Sequence, residues 1–182
     1  MGAPHNKNRY GELWPAYKIK VGLEILTALK PYVVVSGGWA WHFMSPKDHI
    51  EYKHAHDHKD IDVFVDPKNV SYVMQILQGH GFGKVWTRYD RFSSDENFRR
   101  YERQIESPEE RIFRVTIDFF EKKDVPSREI DGWTVVAPKF LLSLYNSIHS
   151  SHSCWAVQAA TRLLDRGIDP LYREELIAIP RQ

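Results

Sequence analysis

The sequence predicts an α/β (α+β) fold: a mixed β-sheet flanked by helices, followed by a C-terminal helical part. Three observations predict it. Apolar residues recur at helical spacing in the first patterned segment, two short apolar runs at 32–35 and 61–65 lack the polar alternation of a half-exposed strand, and the pattern between 84 and 136 changes to strands before returning to helices. A chain of 182 residues with 42% hydrophobic content can bury one sizeable core without disulfides or structural metal. The expected organisation is therefore a single domain over 1–182, with a core at about 17–136 and C-terminal helices at 137–182.

Residues 1–15 are polar and rich in Gly, Pro and Asn, and read as a loose leader docking through Trp14; they contain no apolar run resembling a signal sequence. Val21, Leu23, Ile25, Leu26 and Leu29 mark a helix from Tyr17 to Lys30, which Pro31 stops. Tyr32 to Val35 reads as a strand buried on both faces, and Ser36, Gly37 and Gly38 form a turn before a helix carrying Trp39, Trp41 and Phe43. A polar stretch with four histidines, His49, His54, His56 and His58, leads to a second buried strand, Ile61 to Val65. Pro67 opens the next helix, whose stripe is Val70, Val73, Met74 and Leu77, and Gly79, Gly81 and Gly83 break it. Strands are expected at 85–89, 98–105, 112–120 and 133–136 as one β-meander, then helices at 138–149 and 153–166, the second capped by Gly167.

Charge and cysteine content narrow the function classes. The 25 Lys and Arg nearly balance 24 Asp and Glu, so no global field marks a binder of polyanions or membranes, and any phosphate site must be local. Cys154 is the sole cysteine, which rules out an intramolecular disulfide and suits a reducing compartment; the cytoplasm is the expected location. Nowhere do about 18 apolar residues run consecutively, so no membrane association is expected.

The chemistry-bearing residues are acidic. Asp60 and Asp62 stand two apart at the mouth of a strand, so the period of two puts both carboxylates on one face, roughly 7 Å apart along the backbone. Such a pair can lean toward one hard divalent cation, and Mg²⁺ suits it because that ion takes one or two protein carboxylates and completes its shell with water and phosphate oxygens. Asp118 lies in an otherwise strongly apolar strand, where a charge is costly without a partner. If that strand pairs beside the Asp60/Asp62 strand, Asp118 completes a three-carboxylate site able to hold two metals or to take a proton from an attacking hydroxyl. An Asp-x-Asp at a strand end is common by itself. The weight comes from its coincidence with the glycine turn, whose backbone N–H groups at a helix N-terminus are natural phosphate donors, and with the later buried Asp.

Other residues invite weaker readings. The alternating histidines at 54, 56 and 58 suggest zinc, but solvated loop histidines fit them better. Arg99 and Arg103 share one face of their strand and Arg100 takes the other; a solvated edge strand fits them better than an acceptor groove. Trp39, Trp41 and Phe43 read as helix packing.

Val33 to Ala40, His58 to Val63 and Thr116 to Phe119 together resemble, in order and spacing, motifs of the nucleotidyltransferase superfamily related to DNA polymerase β, and within it most of all the small antibiotic nucleotidyltransferases acting on aminoglycosides or lincosamides. The resemblance covers roughly 20–120, with an echo at Pro138 to Leu142. It implies a nucleotidyltransferase fold and metal-dependent transfer of a nucleoside monophosphate from an NTP, such as ATP, to an acceptor hydroxyl with release of pyrophosphate. On that resemblance Asp60 and Asp62 would bind Mg²⁺, with two ions expected and Mn²⁺ a substitute, and Asp118 would ligate metal or act as base. Ser36, Gly37 and Gly38 would hold the triphosphate, and His58 would orient a carboxylate or touch phosphate. The family often carries a lysine one turn past the Leu141-Leu142 pair; this chain has Tyr145, with Lys139 or an arginine from the strand region to stand in. A small-molecule acceptor is favoured over RNA or protein. The alternatives are a toxin-type or tRNA-modifying enzyme and a non-catalytic nucleotide-binding regulatory module.

Overall fold

The computed structural model describes residues 15–44, 60–87 and 97–147, with all side chains there except those of residues 142 and 145–147. The four histidines between 49 and 58, the helix expected at 153–166 and its Gly167 cap fall outside these residues.

The first helix, α1 (Ala16–Leu29), buries Ile19, Gly22, Ile25, Leu26 and Leu29, a stripe at helical spacing, and ends before Pro31. Strand β1 (Val33–Val35) follows, then α2 (Gly37–Met44), which begins at Gly37 itself and not after the glycine pair. Strand β2 (Asp60–Val65) leads through a 3₁₀ turn at Pro67–Asn69 into α3 (Val70–Gly79). The Asp66 carboxylate caps that turn by accepting the Lys68 N–H at 3.0 Å. Then come β3 (Gly83–Val85), β4 (Phe98–Glu106), β5 (Ile112–Glu121), β6 (Ser127–Ile130), β7 (Trp133–Val136) and α4 (Pro138–Ser147).

One mixed sheet holds all seven of these strands in the order β3-β4-β5-β2-β1-β7-β6. The expected single meander is thereby corrected. Only β3, β4 and β5 form a consecutive antiparallel run, while β6 and β7 make a hairpin at the opposite edge, with β7 parallel to β1. Strand β6 has no counterpart among the expected elements. Its polar Ser-Arg-Glu sequence hides it, but Asp131 and Gly132 form the turn with φ of 51° and 77°, the positive-φ pair that a two-residue hairpin demands. Strand β3 also starts earlier than expected, at Gly83.

Alternation sorts the strands' side chains into two faces. On one, Val33, Val35, Ile61, Val63, Val65, Tyr101, Phe113, Val115, Ile117 and Phe119 pack with α1 and α3 into the larger core. On the other, Phe64 joins Ala40, Trp41 and Met44 of α2 and Leu141 of α4 in a second cluster. Trp39 reaches the first core, so α2 contributes to both, and Trp39 and Trp41 are buried as packing residues. Gly22 makes the α1–α2 contact possible: a Cβ there would lie 2.3 Å from the Trp39 indole.

Candidate active site

The second face of the sheet carries polar chemistry where α2 and α4 do not provide an apolar partner. Strands β2 and β5 are parallel neighbours with Asp62 directly opposite Asp118 and Asp60 opposite Thr116. Strand β4 is antiparallel to β5 with Arg100 opposite Asp118 and Glu102 opposite Thr116. Three rows therefore cross the face. Phe98, Phe120 and Phe64 form an aromatic row, with ring centroids 5.1 Å and 5.7 Å apart. Arg100, Asp118 and Asp62 form the next, and Glu102, Thr116 and Asp60 the last. Neighbouring strands lie about 4.8 Å apart, so each side chain in a row is within reach of the next.

Asp118 is the most buried acid of the group, 6% exposed. Its partner is Arg100, which donates Nε–H to one carboxylate oxygen at 2.7 Å and an Nη2–H to the other at 2.6 Å. This planar fork supplies the counter-charge that an ion in an apolar strand requires. The Arg100 guanidinium is held charged well beyond its ordinary range, first by the hydrogen bonds to Asp118 and then by the negative charges of Asp118, Asp60 and Glu102, against an opposing effect of burial.

Asp62 is fixed differently. The Ser36 N–H donates to the Asp62 carbonyl at 2.8 Å, and the Ser36 carbonyl accepts from the Ala40 N–H at 3.1 Å as α2 starts. Gly37 has φ +57°, and a Cβ on it would fall 2.1 Å from an Asp62 carboxylate oxygen. The glycine elbow therefore holds the acid in place by letting the carboxylate lie against bare backbone. Ser36 is 4% exposed, packed into the elbow. The α2 N-terminus stands beside the Asp62 carboxylate.

The structure thus gathers Asp60, Asp62, Asp118, Ser36, Gly37 and Gly38 at one end of β1 and β2, while His58 lies outside the described residues. Among the described residues no three His, Cys, Asp or Glu side chains converge as a ready-made metal site. Arg100 donates to both Asp118 oxygens. The donor set of three carboxylates on adjacent strands suits a hard divalent cation.

Arg100 is the residue the sequence reading left aside. A signal for it was present: counting outward in register from Glu106 opposite Ile112, across the short loop at 107–111, reaches Arg100 opposite Asp118. Arg99 belongs to the other face, 5.5 Å from the Phe119 ring centroid and bonded to Glu121 at 3.1 Å. Strand β4 is covered by β3, so these arginines do not lie on an edge strand. Tyr145 has no described side chain. No helix among the described residues is long and apolar enough to cross a membrane.

No protein-family model and no curated protein matches the chain. Solved structures do. The antibiotic-resistance factor ANT(2″)-Ia is similar at a TM-score of 0.51 and 13% identity, over 90% of this chain and 89% of that one. The Megavirus polyadenylate synthase is similar at a TM-score of 0.52 and 20% identity, over 82% of this chain and 31% of that one. The JHP933 protein of Helicobacter pylori is similar at a TM-score of 0.51 and 10% identity, over 92% of this chain and 79% of that one.

Proposed function

We propose, from a fold that is that of nucleotidyltransferases, that this chain transfers a nucleoside monophosphate from an NTP to an acceptor hydroxyl. One observation carries the reading: Asp62 and Asp118 stand in register on adjacent parallel strands, with Gly37 of the α2 elbow pressed against the Asp62 carboxylate. The acceptor oxygen attacks the α-phosphorus, the bond from that phosphorus to the bridging oxygen of the β-phosphate breaks, and pyrophosphate leaves. Backbone N–H groups at the start of α2 and the Gly37-Gly38 turn hold the triphosphate. The elbow keeps Asp62 at a fixed distance from it, which supplies the positioning this reaction depends on. Asp118 either joins the metal ligands or takes the proton of the attacking hydroxyl.

Mg²⁺, or Mn²⁺, would be held by Asp60, Asp62 and, once Arg100 has moved, Asp118; it would neutralise charge on the transferred phosphoryl oxygens. The acceptor is a small molecule, a reading supported by the near-balance of 25 basic and 24 acidic residues, which gives the chain no net field attracting RNA. A reducing compartment, the cytoplasm, fits the single cysteine.

The test is Asp62→Asn. It removes one charge with no change in volume, and the expected result is loss of label transfer from an α-³²P NTP with far-UV circular dichroism unchanged. Transfer at the wild-type rate by Asp62→Asn would refute the assignment. Tight NTP binding with no pyrophosphate released across a broad acceptor panel would favour a regulatory nucleotide-binding module instead.

A further inference from the structure

We propose that Arg100 is a resident cation of this site: its guanidinium holds the third acid, and a divalent metal competes with it for Asp118. The inference rests on the proposed function, because it presumes that Asp118 belongs to a metal site. The observation is the two-point contact, 2.7 Å and 2.6 Å, which leaves neither Asp118 oxygen unclaimed. A metal ligated by Asp118 must take at least one of those oxygens. Two cations on so buried a carboxylate repel each other, so the Arg100 guanidinium and a metal at Asp118 weaken one another.

Burial shows which partner moves. The Asp118 side chain is 9% exposed and sits on a central strand, whereas that of Arg100 is 33% exposed and rises from β4 on a long flexible stem. A place to go is built in. Glu102 is two residues along the same strand and face, in the row that also carries Asp60, and its present contacts are long: 3.5 Å from the Thr116 hydroxyl and 3.5 Å from Arg114. A guanidinium released from Asp118 therefore stays inside a negative surface and needs no full transfer to water. Arg100 is a positioning residue here: its two-point contact holds the Asp118 side chain in place, and it limits metal uptake in the resting protein.

The experiment is a Mn²⁺ titration of the full chain without nucleotide, followed by the electron paramagnetic resonance signal of free Mn²⁺, for wild type, Arg100→Gln, Arg100→Lys and Asp62→Asn. Arg100→Gln is expected to bind Mn²⁺ roughly tenfold to a hundredfold more tightly than wild type, the range of a charge-assisted hydrogen bond that the ion no longer has to displace. Arg100→Lys, which keeps the charge but loses the fork, is expected to fall between the two. A purely structural arginine would lower the unfolding temperature without tightening metal binding. If Arg100→Gln does not fold, Arg100→Lys decides: tighter binding than wild type supports the proposal, and equal or weaker binding overturns it. Unchanged or weaker Mn²⁺ binding in Arg100→Gln, with binding still lost in Asp62→Asn, overturns the resident-cation role alone. No Mn²⁺ uptake by wild type and Arg100→Gln beyond that of Asp62→Asn overturns it together with the metal-dependent reading of the site.

Discussion

Replacing Gly37 by alanine tests the link between the elbow and the acid most directly. The new Cβ would lie 2.1 Å from the Asp62 carboxylate oxygen, so that carboxylate must retreat by roughly 0.9 Å even to reach 3.0 Å, a separation that real Cβ contacts essentially never undercut. Gly37 also sits at φ +57°, where an L side chain costs about 1–2 kcal/mol. For a chain of this size that strain lowers Tm by about 2–8 °C. A displacement near 1 Å of a positioning group lowers catalysis by about a hundredfold. Thermal unfolding by circular dichroism and α-³²P transfer measure the two effects separately. Gly79→Ala is the internal control: nothing lies within 4 Å of an added Cβ there, so alanine should stabilise the last turn of α3 by about 0.5–1 kcal/mol and leave transfer untouched. The reasoning fails if Gly37→Ala transfers label at the wild-type rate, whatever its Tm, because the carboxylate would then have no need of the elbow.

Two further perturbations probe the scaffold. Gly22→Ala places a Cβ 2.3 Å from the buried Trp39 indole, an overpacking expected to cost about 1–3 kcal/mol in denaturant unfolding; an unchanged midpoint would show that α1 and α2 separate freely. Tyr17→Phe removes the hydroxyl that donates to Glu110 at 2.6 Å, beside the Lys18–Glu110 ion pair that fastens α1 to the loop after β4. That hydrogen bond pushes the Tyr17 hydroxyl from 10.0 up to about 12, so its contribution is complete below pH 10 and is lost as pH rises through about 12. Lys18 and then Tyr17 hold Glu110 below its usual 4.5, so its contribution is present above that pH and is lost as pH falls through the lowered value. The Tm gap between wild type and Tyr17→Phe should therefore be flat from about pH 5 to 9.5 and close on either side. A gap that widens above pH 10 would contradict this cause.

Several elements were legible because their signals are local. The α1 stripe, the apolar runs of β1 and β2 and the stop at Pro31 are consequences of neighbouring residues along the chain. The hairpin of β6 and β7 was missed because three polar residues obscured its first strand, although Asp131 and Gly132 announced the turn. The sides taken by Arg99 and Arg100 were legible as well, but not which of the two sides held the acids.

What the sequence by itself determined was therefore periodicity: that Asp60 and Asp62 share a face, that Asp118 shares its own with Thr116 and Phe120, and that a flexible elbow follows β1. What only the tertiary structure decided was adjacency: that β5 lies parallel beside β2 in the register placing Asp62 against Asp118, that β4 brings the Arg100 fork onto that carboxylate, and that Gly37 yields its missing side chain to Asp62. The physical reason is that a strand's alternation fixes the direction of each side chain without fixing its neighbour. Partners far apart in the chain are selected by the burial of whole faces and the closure of backbone hydrogen bonds across the sheet.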